Sequence, residues 1–172
     1  SSRGNGSPPI LPLIVKKILI YTDGACLGNP GPGGIGAVLV HDHLRKEISR
    51  GFRCTTNNRM ELLAAITALE SLKTECHVEL TSDSKYLVDA VRSRWLDKWQ
   101  RNGWRRSDRK PVLNIDLWQR LIPFLEMHKV EFVWIKGHAG HAENERCDAL
   151  AMAAAKSMNL EVDEGYEAEP GA

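Results

Sequence analysis

From Lys16 onward the chain alternates short apolar runs with turn-forming clusters. "KKILIYTD" is an aliphatic run that stops at an acid, and "IGAVLVHDH" is a second, rich in β-branched Ile35, Val38 and Val40. Runs this short suit strands. With a third they predict strands over about 17–23, 34–41 and 47–55, joined by short turns into an antiparallel meander. The period then changes. In "NNRMELLAAITALESL", Leu62, Ala65, Ile66 and Leu69 recur at i, i+3, i+4 and i+7, which predicts a helix with Asn58 as its N-cap. "HVELTSD" predicts a fourth strand, followed by a helix from about Ser84 to Trp99 and another over about 115–128. A fifth strand, "VEFVWIKG", leads through the loop "HAGHAE" to a last helix, "NERCDALAMAAAKSM". Three hairpin-linked strands followed by strand–helix alternation predict an α/β fold, a mixed sheet flanked by helices.

Between the first two strands lies "GNPGPGGIG", whose Gly31, Gly33 and Gly36 spell the dinucleotide-binding G-x-G-x-x-G. That fingerprint needs the glycines to open a helix holding a pyrophosphate. Here a strand follows, and Pro30 and Pro32 break any helix. The stretch therefore predicts a hairpin, with the glycines turning the chain tightly, beside a ligand or simply at a turn.

The 172 residues fit one domain, and the net charge of +1 announces no partner. The distribution is more telling. From Lys85 to Lys110 nine basic residues face three acids, interleaved with Trp95, Trp99 and Trp104. The end, "LEVDEGYEAEPGA", has five acids and no base, and reads as a frayed, solvated tail. Cys26, Cys54, Cys76 and Cys147 form no C-x-x-C pair, which suits a reducing cytoplasm and argues against zinc. "ILPLIV" is too short and Pro-broken for a membrane span, and "SSRGNGSPP" before it resembles a linker.

Four acids fall at element ends. Asp23 closes the first strand and Asp83 the fourth, Glu61 lies near the start of the first long helix, and Asp148 near the start of the last. Each has an ordinary explanation: turn aspartates at 23 and 83, a capping box at 61, helix-dipole stabilisation at 148. Together they describe carboxylates meeting at one sheet edge, which requires a cation to cancel their repulsion. All-oxygen ligands suit Mg²⁺ or Mn²⁺, and two such ions can drive phosphoryl transfer.

"YTDGACLGNPGPGG", "TTNNRMELLAA", "SDSKY", "KPVLNIDLWQRL" and "WIKGHAGHAENERCDALA" closely resemble bacterial type 1 ribonuclease H, in the family's order from about residue 17 to 166. The resemblance implies the ribonuclease H fold, a five-stranded mixed sheet (three antiparallel strands, then two parallel) with the third strand at an edge. It implies endonucleolytic hydrolysis of the RNA strand of RNA–DNA hybrids by a two-metal-ion mechanism. Mg²⁺ is the expected ion and Mn²⁺ a possible one, and the products carry 5′-phosphate and 3′-hydroxyl ends.

By matching motif, the metal-binding catalytic carboxylates are Asp23, Glu61, Asp83 and Asp148. His138 in "KGHAGH" matches a mobile-loop histidine that moves protons or helps release product. Cys26 and Asn29 match backbone-contacting positions beside the minor groove, Asn58 a residue touching the groove, and Thr56 and Asn57 a pocket for a DNA phosphate. The basic segment, about 92–112, matches the family's handle, whose substrate contacts would come from Trp95, Lys98, Arg101, Trp104, Arg105 and Arg106. Lys85 departs from the Gln that bacterial relatives usually carry beside the substrate. The expected layout is a flexible N-terminal extension or cloning remnant over 1–16, a catalytic domain over 17–160 and an acidic tail over 161–172. The expected partner is an RNA–DNA hybrid, bound by a cytoplasmic monomer that engages no membrane and no obligate protein.

Overall fold

A computed structural model describes residues 15–137 and 139–168. Strands β1 (Lys16–Cys26), β2 (Gly31–His41) and β3 (Leu44–Thr55) form the expected antiparallel meander. β4 (Cys76–Ser82) and β5 (Lys129–Trp134) add in parallel on the other side of β1, giving the order β3-β2-β1-β4-β5. Crossover helices make parallel pairing possible. α1 (Asn57–Glu70) joins β3 to β4, while α2 (Lys85–Arg92), α3 (Trp95–Arg101) and α4 (Ile115–Met127) lie between β4 and β5. α5 (Ala142–Ala155) covers β1, β2 and β3 from the opposite face, and the short α6 (Glu164–Ala168) ends the described chain.

The stripe Leu62, Ala65, Ile66 and Leu69 is fully buried, and α1 is enclosed on nearly every side by β1, β2 and α4. Its N-cap is Thr56, whose Oγ1 accepts from the Arg59 N–H at 3.3 Å. Asn58, the expected cap, is instead the second helical residue. β3 ends one residue before Thr56, so the first extended residue with a capping hydroxyl takes the role.

The helix expected over Ser84 to Trp99 is two helices. Arg94 adopts a left-handed conformation (φ 57°) that ends α2 and redirects the chain into α3. Such a residue costs roughly 1–2 kcal/mol outside glycine. The turn offsets that cost by burying Leu96 and packing Trp99 at a tilt against the buried Trp118 ring, with centroids 5.5 Å apart. Trp95 and Tyr86 extend the aromatic row at 6.2 and 5.4 Å, so the basic segment is anchored to the core through its rings.

The acidic end is not frayed through residue 168. Glu161 bridges to Phe52 beside β3, and Asp163 is buried with two hydrogen bonds from the Arg59 guanidinium, at 2.8 and 2.9 Å. Asp163 also accepts from the Thr55 hydroxyl at 2.7 Å, and Tyr166 is buried. Acid-rich composition pointed the wrong way because Arg59, itself buried, needs a carboxylate partner in the interior. Of the expected extension over 1–16, residues 1–14 lie outside the described residues, while Lys16 is already paired with Cys76 at the start of β1, because the parallel ladder to β4 begins there.

In "GNPGPGGIG", Gly28 (φ 92°) and Gly31, set against the Leu27 carbonyl, do turn the chain, but Gly34 and Gly36 have a different task. A Cβ on Gly36 would strike the Cys147 carbonyl, and one on Gly34 the Ala151 carbonyl. Bare β2 thus lets the small-residue face of α5 lie with its backbone directly on the sheet.

Candidate active site

Asp23 stands at the C-terminal end of β1, and Asp83 one residue beyond β4. The parallel register pairs Thr22 with Ser82, so the two acids leave neighbouring strand ends side by side. Crevices at such strand ends are where open α/β sheets hold ligands. Glu61 joins them because Gly24 has no side chain: a Cβ there would collide with the Met60–Glu61 peptide. Asp148 comes from above. Asp23 pairs with Gly36 across β1 and β2, and Gly36 receives Cys147, the residue before Asp148.

One carboxylate oxygen each from Asp23, Glu61 and Asp83 lies within 4.8 Å of the others. Asp148 stands outside that trio, close enough for its charge to act on Asp23. Asp23 and Glu61 are buried, at 4% and 5% exposure, and Asp83 is half-buried. Burial, then the charge of Asp83, pushes the Asp23 carboxyl up to about 8. Burial and the charges of Asp23 and Asp83 raise Glu61 well above the usual carboxylate range. Like charges this close in a water-poor site cannot all ionise unaided. Glu61 Oε2 is buried with no hydrogen-bond partner among the described residues. An all-oxygen trio with an unsatisfied lone pair fits a hard divalent cation.

The predicted substrate-facing residues form two groups. Around the β1–β2 turn, Asn29 Oδ1 accepts from the Asn57 N–H at 3.2 Å, and the Cys26 thiol approaches the carbonyls of Gly31 and Thr55 at 3.4 and 3.5 Å. Cys26, Asn29, Thr56, Asn57 and Asn58 therefore meet where the hairpin touches the start of α1, with the three asparagines exposed. The second group is the handle. Lys98, Arg101, Arg105 and Arg106 are exposed and Trp95 is 38% exposed, whereas Trp104 is half-buried against the core. Arg106 is partly neutralised by Asp108 at 2.8 Å. His138 lies outside the described residues; beside it, Gly137 rests so close to Asp83 that a Cβ would come 2.7 Å from Oδ2.

Sequence reading passed over Trp134. It ends β5 opposite Ser82, and its indole N–H donates to the Asp83 carbonyl at 3.1 Å. The available signal was a tryptophan at a strand end directly before the "KGHAGH" loop.

A family model described as RNase H matches residues 15–156. The chain belongs to the ribonuclease H family. It is 59% identical over 149 residues to the ribonuclease H of Desulforamulus reducens, spanning 87% of this chain and 94% of that one. To the ribonuclease H of Rippkaea orientalis it is 57% identical over 152 residues, 88% and 93% of the two chains. The structure of LC9-RNase H1, a type 1 RNase H with the type 2 active-site motif, superposes with a TM-score of 0.76 at 34% identity, covering 92% of this chain and 82% of that one. LC11-RNase H1 in complex with RNA/DNA hybrid gives 0.62 at 29% identity over 80% and 95%. Ribonucleases H are metal-dependent hydrolases that degrade RNA in RNA–DNA hybrids, and this chain is a nuclease of that kind. Among the described residues, no helix is long and apolar enough to cross a membrane.

Proposed function

We propose that this ribonuclease H cleaves the RNA strand internally with two divalent ions, Mg²⁺ or in its place Mn²⁺, leaving 5′-phosphate and 3′-hydroxyl ends. The observation that carries this is the oxygen trio within 4.8 Å, two members of it buried and shifted toward protonation. Asp23, Glu61, Asp83 and Asp148 would hold the ions. Bound divalent ions neutralise such a cluster, stabilise charge on the scissile phosphate and make water a better nucleophile. The chain's own part is positioning. Burial of Asp23 and Glu61 keeps their charges undiluted by water, and Gly24 and Gly36 fix the spacing of three of the four acids. No covalent nucleophile is called for. Burial pushes the Cys147 thiol up to about 12, so it stays protonated beside the site. His138, on a loop bounded by Gly137 and Gly140, would move protons or ease product release.

Hybrid recognition would divide between two surfaces. Cys26, Asn29 and Asn58 would read 2′-hydroxyls on one strand, since that group distinguishes RNA from DNA. Thr56, Asn57, Lys85 and the handle residues Trp95, Lys98, Arg101, Trp104, Arg105 and Arg106 would grip the deoxyribose strand by charge and ring contact. That LC11-RNase H1 is solved in complex with RNA/DNA hybrid lends support to hybrid binding. The four free thiols suit a reducing cytoplasm.

The test is an end-labelled hybrid incubated with and without Mg²⁺, with product ends identified by phosphatase and ligase sensitivity. Cleavage of the RNA strand alone, dependent on metal, is expected. A duplex with one ribonucleotide in otherwise DNA should be nearly inert beside one with a run of about four, because several hydroxyls are contacted together. Efficient incision at the single ribonucleotide would overturn this account of specificity.

A further inference from the structure

Trp134 is 39% exposed, an unusual setting for an indole whose N–H is already committed. Two contacts from the one side chain converge on the segment that carries Asp83. The indole N–H donates to the Asp83 carbonyl at 3.1 Å, and the Lys85 ammonium lies 5.0 Å from the centroid of the same ring. Register supplies the placement: Trp134 pairs with Ser82, and the Ile135 N–H donates to the Ser82 carbonyl at 3.1 Å. A single rigid side chain thus straddles the turn where β4 gives way to α2, holding the backbone of residue 83 and the side chain of residue 85.

We infer that Trp134 is a positioning residue with two separable duties, both resting on the proposed roles of Asp83 and Lys85. Its N–H fixes the peptide from which the Asp83 carboxylate projects, and so the site's affinity for divalent ions. Its ring face parks the Lys85 cation over the turn that carries Asp83, in place to meet a substrate phosphate. Without the platform, Lys85 is a four-carbon stem free to wander in water. The chemistry explains the residue type: phenylalanine keeps the face but not the donor, and a leucine keeps neither.

Trp134→Phe and Trp134→Leu therefore dissect the two duties. Calorimetric titration with Mg²⁺ in the absence of nucleic acid reads the first, and hybrid binding by fluorescence anisotropy without metal reads the second. Trp134→Phe should weaken Mg²⁺ binding about threefold or more while leaving hybrid affinity within a factor of two. Trp134→Leu should weaken both, and adding Lys85→Ala to it should cost hybrid affinity far less than Lys85→Ala does in the wild type. Unchanged Mg²⁺ affinity in Trp134→Phe overturns the first duty, and full additivity of Trp134→Leu with Lys85→Ala overturns the second. A wild-type protein that binds neither Mg²⁺ nor hybrid would instead sink the proposed function itself.

Discussion

Replacing Asp23 by Asn separates catalysis from stability. In the metal-free protein the folded state raises the Asp23 carboxyl from 3.8 to about 8, chiefly through burial and the charge of Asp83. The folded chain then binds a proton that the unfolded chain has released across that window. Stability contributed by this proton is fully present below about pH 4 and is lost as pH rises toward 8. Each pH unit in the window is worth about 1.4 kcal/mol, so neutral pH costs the metal-free wild type about 4 kcal/mol at this one group. Asparagine keeps the size and the oxygen that accepts from the Gly24 N–H, and carries no charge to repel Glu61 and Asp83. Asp23→Asn should therefore be more stable in EDTA at pH 7 by about 2–4 kcal/mol, a rise in melting temperature of roughly 5–15 °C. Calorimetric melts from pH 5 to 8 should show the gap between variant and wild type widening with pH. Saturating Mg²⁺ should narrow it by stabilising only the protein with the complete carboxylate set. Turnover on hybrid should fall below a few per cent. A gap that does not change with pH, or a less stable variant, would refute the carboxylate-repulsion argument.

Arg59→Met leaves Asp163 buried without its guanidinium, and chemical denaturation should show a loss of about 3–5 kcal/mol. Arg59→Lys should recover little of it, because one ammonium cannot reproduce the forked bonds to both Asp116 and Asp163. Gly36→Ala drives a methyl into the Cys147 carbonyl; stability in denaturant should fall by about 1–3 kcal/mol, and kcat should fall with it as Asp148 shifts. Neutralising Arg101, Arg105 and Arg106 together should weaken hybrid binding and lower the log–log salt slope by about 0.9 for each phosphate left without its cation. Little change in rate at saturating substrate is expected, and an unchanged slope would remove the handle from the interface.

The meander and α1 were legible because their residues obey one period at a time. Leu62, Ala65, Ile66 and Leu69 face one way in the sequence and are all buried in the fold. Asp23, Glu61 and Asp83 were legible as a group because each sits at an element end and the ends converge. Arg94 was not. A left-handed arginine is chosen by what Leu96 and Trp99 gain downstream, and no local pattern announces it. The docking of Asp163 escaped for the same reason, since its partner is remote in sequence and acidic composition suggests solvent. Local sequence gives Gly34 and Gly36 no task beyond a turn, because the helix backbone they receive arrives more than a hundred residues later.

The Arg59–Asp163 pair also constrains how the protein can be born. Asp163 follows Arg59 by 104 residues. At a synthesis rate of about 5–20 residues per second, the guanidinium waits roughly 5–20 s for its buried carboxylate. For about the first half of that interval not even Asp116, 57 residues on and itself 44% exposed, has been made. Through that interval the buried guanidinium at the start of α1 has at most this partly exposed carboxylate beside it. The acidic segment thus supplies, late in the order of synthesis, the buried partner of a charge at the start of the helix that carries Glu61.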